Sequence, residues 1–307
     1  MVKVVNYNNF KIKNNHKNSI ILIGNFDGLH LGHQKLFSLA KNYKKKFSLK
    51  IGVLTFEPMP KMFFNRKIKN FRISNQKQKL SLLDKLNVDF VITKKFTKGF
   101  SKTKSLTFIK EIIGSRLNPK FIFVSNNFRF GNKREGNVSQ LIKYEKMFNY
   151  KIVKPKPLLS KKRVISSTLI RKYLEIGKLK NVNILLNRKW SIQGKVQKGR
   201  RLGKKIGFPT ANIDIKDYVL AKPGVYAVKA KTFNNSNYIK GIANLGYRPT
   251  FNGKKILLEV HLFNFSGNLY NKYLTVEFLR FIRKEKKFKN VDQLKRQIKA
   301  DLKIAKK

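Results

Sequence analysis

Strand and helix signals alternate along the first part of this chain and stop alternating near Asn187, and that change of texture constrains the fold more than any other feature. Before it, short apolar runs are each followed by a segment with a helical stripe. Residues 19–23 read as a buried strand, and 33–46 as a helix with Leu36, Leu39, Ala40 and Tyr43 on one face. Strands are expected at 51–56, 88–92, 120–124 and 150–153. Between them lie a helix with Leu80, Leu83 and Leu86 behind an N-cap at Ser74, a helix opening at Ser105, and a helix over 138–148. Alternation at this spacing builds a parallel sheet with helices on both faces.

After the helical stretch 179–186, short strands take over at 190–196, 225–230, 238–244, 256–263 and 273–279, with Gly, Pro and Asn between them. Such spacing predicts a small barrel or sandwich. A last helix is expected over 291–304, with Leu294, Ile298 and Leu302 as its apolar stripe. The expected class is therefore α/β plus β, with one domain at 1–187 and a second at 188–307. A chain of 307 residues suits two domains. No internal repeat or long linker separates them.

Composition mainly excludes. The chain has no Cys, which removes disulfides, thiolate metal sites and a Cys nucleophile. The first ten residues lack the apolar core of a signal peptide, and no apolar run reaches the ~18 residues of a membrane span. A cytoplasmic protein without a membrane partner is expected. Its 70 Lys and Arg outnumber 15 Asp and Glu, for a net charge of +55. The basic residues run along the whole chain, as in a solvated Lys-rich surface, whereas nucleic-acid faces show as local clusters. No specific nucleic acid is expected, although the field attracts anions. Oligomeric state is not legible.

The sharpest motif is Gly24-Asn25-Phe26-Asp27-Gly28-Leu29-His30-Leu31-Gly32-His33, placed where the first long strand ends and a helix begins. Ligands of open α/β sheets bind at the carboxyl ends of strands, near helix N-termini. Gly24, Gly28 and Gly32 let backbone approach phosphates, and His30 and His33 can face one spot, where they can stabilise charge growing on an α-phosphate. A second cluster, Ser166-Ser167-Thr168 followed by Arg171, is an N-cap signature whose hydroxyls and N–H groups can also hold β- and γ-phosphates, with Arg171 as a clamp. A third, 125–131, places Asn127, Phe128 and Phe130 in a turn after a strand, where exposed rings suit an aromatic ligand or fold back into the core.

Further along, Gly199, Gly203 and Gly207 punctuate a basic loop that runs into Pro209-Thr210-Ala211-Asn212. It reads either as a surface hairpin or as a wrap for a polyphosphate. It is not a Walker A sequence, since no Gly-Lys-Ser/Thr ending is present. Thr210 and Asn212 are hard oxygen donors able to share Mg²⁺ with ATP phosphates. Glu259 is the carboxylate of an otherwise apolar strand, and His261, two residues on, points to the same side if the strand is regular. His16, in a polar Asn/Lys stretch, is expected at the surface.

In this order the motifs resemble the bacterial bifunctional riboflavin kinase/FMN adenylyltransferase (FAD synthetase) family. The first three clusters and the Phe56-Glu57-Pro58 turn are similar to its adenylyltransferase half, one of the nucleotidyltransferases with a His-x-Gly-His motif. Met59 stands where the family often has His, and Ser125 where it commonly has Gly. The Pro-Thr-Ala-Asn segment, residues 224–227, 243–251, 258–261 and 283–288 resemble the riboflavin kinase domain. The resemblance implies a Rossmann-like nucleotidyltransferase domain followed by a six-stranded riboflavin-kinase-type β-barrel with a C-terminal helix. It implies ATP, riboflavin and FMN as substrates and FAD as product. ATP would meet Gly24, Phe26, Asp27, Gly28, His30, His33, Ser167, Thr168 and Arg171 in the first site, with FMN at Phe56, Asn127 and Phe130. In the second, ATP would meet Gly199, Gly203, Gly207, Thr210 and Asn212, with Glu259 as base.

The two chemistries differ in nucleophile. An FMN phosphate is already ionised near neutrality, its second proton leaving near pH ~6. Its attack on the α-phosphorus of ATP needs positioning and charge stabilisation but no base. A ribityl hydroxyl is not ionised and needs a carboxylate such as Glu259. Two other readings remain at this stage. One is a nucleotidyltransferase with another phosphate-bearing acceptor, which leaves the second domain unexplained. The other is a basic nucleic-acid-binding protein on a degenerate nucleotidyltransferase fold.

Overall fold

The computed structural model describes residues 4–65, 67–68, 70–199, 202–232, 237–250 and 253–306. The chain divides into two compact units. One comprises Met1–Ile68 and Gln76–Ser166, the other Lys69–Asn75 and Ser167–Lys307. The packing division thus falls ahead of the change in sequence texture, and a short stretch of the first half belongs to the second unit.

In the first unit, β1 (Val5–Tyr7), β2 (Ile20–Ile23), β3 (Ile51–Glu57), β4 (Phe90–Lys95), β5 (Phe121–Phe123) and β6 (Lys151–Val153) form a parallel sheet in the order β1-β4-β3-β2-β5-β6. Alternation of side chains splits the strands between two cores. Ile21, Ile23, Leu54 and Ile122 face one, while Ile20, Leu22, Val53 and Phe123 face the other. Helix α1 (Leu31–Phe47) buries Leu36, Phe37 and Ala40 in the second core, and α2 (Gln76–Lys85) adds Leu83. The first core is closed by α3 (Phe108–Leu117), a π-helix that buries Phe108, Ile109, Ile112, Ile113 and Leu117. Covered on both faces, all four residues of β2 are buried.

Chain order reverses at β2: β3 and β4 lie to one side of it, β5 and β6 to the other. Crevices for ligands form at such switch points, outside the carboxyl ends of the strands.

Two expectations need correction here. The helix expected over 138–148 is only Val138–Lys143 (α4), since the Tyr144 and Glu145 N–H groups donate three residues back, to Leu141 O and Ile142 O, and the winding breaks into turns. His16 is not at the surface. It is buried, stacked on Phe90 with ring centroids 4.3 Å apart, and its Nδ1 lies 2.8 Å from the Tyr7 hydroxyl.

The second unit is led by α5 (Ser167–Glu175) and α6 (Leu179–Leu186). A closed barrel follows, with β7 (Ser191–Gln197), β8 (Ala211–Asp214), β9 (Gly224–Thr232), β10 (Ile239–Thr250), β11 (Gly253–Leu262) and β12 (Tyr273–Arg283) in the order β7-β8-β11-β10-β9-β12. Helix α7 (Val291–Lys306) lays Ile298, Leu302 and Ala305 against Ala227 and Ile242 of the barrel. The two domain architectures are those the sequence led us to expect.

Residues of 69–75 are knitted into this unit by backbone. Arg72 N–H donates to Asp217 O at 2.9 Å, Val219 N–H donates to Arg72 O at 2.7 Å, and the Trp190 indole N–H donates to Ile73 O at 3.0 Å. Trp190 is 1% exposed and packs on Phe278 at 4.7 Å. Trp190→Phe removes that donor and part of the buried ring, and is expected to cost this unit about 1–3 kcal/mol. Because Trp190 is the chain's single tryptophan, calorimetry and not intrinsic fluorescence is the measurement that checks this.

Candidate active sites

In the first unit the chain leaves β2 in a tight coil. Gly24 N–H donates to Leu54 O at 3.0 Å, holding the turn to β3. Phe26, Gly28 and Leu29 then take φ of 48°, 77° and 40°. Positive φ is tolerated by Gly28 and strained for the other two. Phe26 and Leu29 are held there by burial, and Phe26 packs on Phe37 and His33, each at 5.2 Å. Asp27 is buried in the same coil.

His30 is the N-cap of α1. Its Nδ1 accepts the His33 backbone N–H at 3.4 Å. A nitrogen that accepts carries no proton, so the neutral ring bears its proton on Nε2 and presents a donor there. The His30 and His33 rings stack with centroids 3.7 Å apart and 19° between planes. Burial, and then the nearby His30, holds the His33 pKa well below 6.5. His33 Nδ1 is sealed from solvent without a hydrogen-bond partner. The pair therefore presents a neutral imidazole beside a capping one at the positive end of a helix dipole. Gly32 fits this frame closely: a Cβ there would lie 3.2 Å from both the His30 ring and the Ile165 carbonyl, so a larger residue needs these neighbours to give.

The end of β3 places Phe56 half-buried in a ring cluster with Phe96 at 6.0 Å and Phe100 at 5.7 Å. After β5, Asn127 is exposed and its Oδ1 accepts from the Ser125 hydroxyl at 2.9 Å. Phe130 is not an exposed ring. It is 7% exposed, stacked on Phe128 and packed against Phe108, so the turn folds it into the core. Since β3, β2 and β5 are parallel neighbours, the His pair, Phe56 and Asn127 stand along one rim of the sheet.

Ser167 and Thr168 are the first two residues of α5 in the second unit. Arg171 lies on that helix with its guanidinium 3.7 Å from the centre of the Phe71 ring, and its Nε donates to Phe71 O at 2.8 Å. Part of its binding capacity is thus spent inside its own unit.

The second site is a cavity of about 460 Å³ between the barrel strands and α7, lined by Thr210, Asn212, Asn244, Glu259, His261 and Arg283 among others. Strand register builds it. Glu259 on β11 faces Asn212 on β8 and Asn244 on β10, so a carboxylate stands between two amides on one face. Asn212 is 8% exposed, and its Oδ1 is buried without a hydrogen-bond partner. The glycine loop closes on this residue: a Cβ on Gly199 would lie 2.4 Å from the Asn212 amide nitrogen. Gly203 sits in the short helix Leu202–Lys205, and Gly207 follows it. Arg200 and Arg201 lie outside the described residues.

Sequence reasoning assigned no site role to four polar groups of this cavity. Asn244 donates to Glu285 Oε1 at 3.3 Å, and Arg283 is tied to Asp301 of α7 by bonds of 2.9 and 2.8 Å. An amide among the Ala, Ile and Leu residues of β10, and a carboxylate one turn past Ile298 and beside Leu302, were the available signals.

A dinucleotide-type sheet with a His-capped helix, followed by a barrel with a carboxylate between amides, defines a two-domain nucleotide-dependent transferase. The FAD synthetase family profile matches residues 12–169, and the riboflavin kinase profile matches residues 186–307. A bifunctional riboflavin kinase/FMN adenylyltransferase of Buchnera aphidicola (Schizaphis graminum) is 41% identical, with 96% of each chain covered. That of Haemophilus influenzae is 39% identical over 93% of this chain and 92% of its own. A crystal structure described as a macrolide-efflux protein from Streptococcus pneumoniae superposes with a TM-score of 0.84 at 28% identity, covering 99% of each chain. Among the described residues no helix is long and apolar enough to cross a membrane. The chain belongs to the bifunctional riboflavin kinase/FMN adenylyltransferase family, and is a transferase of flavin cofactor biosynthesis.

Proposed function

We propose that residues 188–307 phosphorylate riboflavin to FMN and residues 1–187 transfer the adenylyl group of ATP to FMN, in the cytoplasm. The observation that carries the assignment is Glu259 set between Asn212 and Asn244 in the barrel cavity. It supplies a carboxylate where a hydroxyl must lose its proton. The ribityl 5′-hydroxyl gives that proton to Glu259 as its oxygen attacks the γ-phosphorus, and ADP leaves. The loop carrying Gly199, Gly203 and Gly207 wraps the phosphates.

The donor set fits Mg²⁺. Asn212 Oδ1 is a buried oxygen with no partner, and the Thr210 hydroxyl lies two residues away. Among the described residues no group of three or more His, Cys, Asp or Glu forms a cage, which suits an ion that takes few protein ligands and keeps substrate phosphates and waters. Thr210 and Asn212 would hold it, and when bound it would neutralise charge on the phosphates.

In the first unit FMN lies along Phe56 and Asn127, with Phe130 behind them in the core. Its phosphate oxygen attacks the α-phosphorus and pyrophosphate leaves. The His30 Nε2–H and the α1 N-terminus stabilise the developing charge, and His33 stays neutral beside them.

Incubating the protein with riboflavin, ATP and Mg²⁺ and separating the flavins tests this reading: FMN and FAD both form. Neither product forming overturns it. Removing divalent metal with a chelator is expected to stop FMN formation, and added Mg²⁺ to restore it.

A further inference from the structure

His261 stands two residues beyond Glu259 on β11 and lines the same cavity. Its Nδ1 lies 2.8 Å from the carbonyl oxygen of Pro209. A carbonyl only accepts, so Nδ1 carries the proton and donates. The β8–β11 ladder ends where Ala211 pairs with Val260. Pro209 has no N–H with which to extend it. The His261 side chain therefore takes over where backbone pairing stops, and fastens the Phe-Pro-Thr turn to the strand of Glu259. The ring is itself held between Phe208, edge-on at 5.8 Å, and Phe263 at 6.3 Å.

The residue after Pro209 is Thr210, and Asn212 follows directly opposite Glu259. We propose that His261 is a positioning residue of the kinase site: its bond to Pro209 sets the Thr210 hydroxyl beside Asn212 Oδ1, and so sets the affinity for Mg²⁺ and ATP. The inference rests on the reading of Thr210 and Asn212 as the metal-holding pair. It assigns His261 no part in proton transfer, because Nδ1 is engaged by a carbonyl and the base is Glu259.

The test uses the full chain, with FMN formation from riboflavin and FAD formation from supplied FMN measured separately. His261→Ala is expected to raise the Mg²⁺ concentration for half-maximal FMN formation, and the KM for ATP, about tenfold or more, as loss of an outer-shell partner does. The kcat at saturating ATP and Mg²⁺ stays nearly unchanged, as does FAD formation. His261→Asn replaces the Nδ1–H donor with an amide N–H and recovers most of the shift. His261→Phe keeps the packing against Phe208 and Phe263 but has no donor, and does not recover it. Wild-type half-saturation in His261→Phe, or a fall in kcat with half-saturation unmoved, overturns the proposal. Should His261→Ala not fold, the Asn and Phe variants decide alone. Thr210→Val and Asn212→Leu separate the two levels. If they leave the Mg²⁺ dependence unmoved, the metal assignment is wrong. If they shift it and the His261 variants do not, the clamp is wrong.

Discussion

Glu259→Gln is expected to lower FMN formation about a hundredfold or more, while FAD formation from supplied FMN is unchanged. The substitution keeps the shape of the row formed with Asn212 and Asn244, so the barrel loses no volume and no strand pairing. What it removes is the capacity to take a proton. The attacking ribityl hydroxyl is far from ionised at neutral pH, so a missing acceptor appears in kcat and not in the KM for riboflavin. Glu285 provides the control. It also lines the cavity, but it is exposed and accepts from Asn244, while the third carboxylate, Asp301, is tied to Arg283. Glu285→Gln is expected to leave the rate of phosphoryl transfer close to wild type. Single-turnover FMN formation decides between the two, and a larger loss in the Glu285 variant reverses the assignment of the base.

The architecture was legible because each half carries its own periodicity. Strands buried on both faces of a parallel sheet read as unbroken apolar runs, and 20–23 and 51–54 do so. The barrel strands were found because Gly, Pro and Asn separate them. The failures are of three physical kinds. Very short strands escaped: β1 has three residues in a polar stretch, and β8 has four within a segment already read as a binding turn. The π-helical winding of α3 was invisible, since apolar residues at 108, 109, 112, 113 and 117 fit ordinary helical spacing equally well. Membership of 69–75 in the second unit depends on backbone bonds to residues more than a hundred positions away, which no local pattern records.

Candidate site residues were legible where backbone geometry demands them. The Gly-rich coil, the His pair and the Pro-Thr-Ala-Asn turn are local constellations, and the structure gathers them at strand ends. Groups that reach a cavity from distant strands were not. Nothing near Asn244 announces that it will face Glu259, because that follows from the β10–β11 register. Phe130 shows the converse. A ring in a turn looks available for a ligand, yet packing with Phe108 and Phe128 draws it into the core.

His30→Ala is expected to cut FAD formation about a hundredfold or more, the usual cost of losing one preorganised donor, with riboflavin phosphorylation intact. The same change deletes the N-cap of α1, worth ~1 kcal/mol of stability. His30→Asn supplies a capping acceptor without the imidazole, so recovered stability with lost activity separates the two roles. The pH profile probes the chemistry more deeply. If the FMN phosphate needs no base, the acid limb of the adenylyl step reports its second ionisation near pH ~6, and an acceptor phosphonate with a higher second pKa shifts the limb upward. His33 does not interfere, because its folded pKa lies well below 6.5 and it remains neutral across this range. It does affect stability. As pH falls below 6.5, the unfolded chain takes up a proton at His33 that the folded chain refuses, so stability present above that pH is lost progressively towards the lower folded pKa. Rates must therefore be taken where calorimetry shows the first unit folded. A limb that stays fixed when the acceptor pKa changes assigns the titration to an enzyme group and overturns the mechanism without a general base.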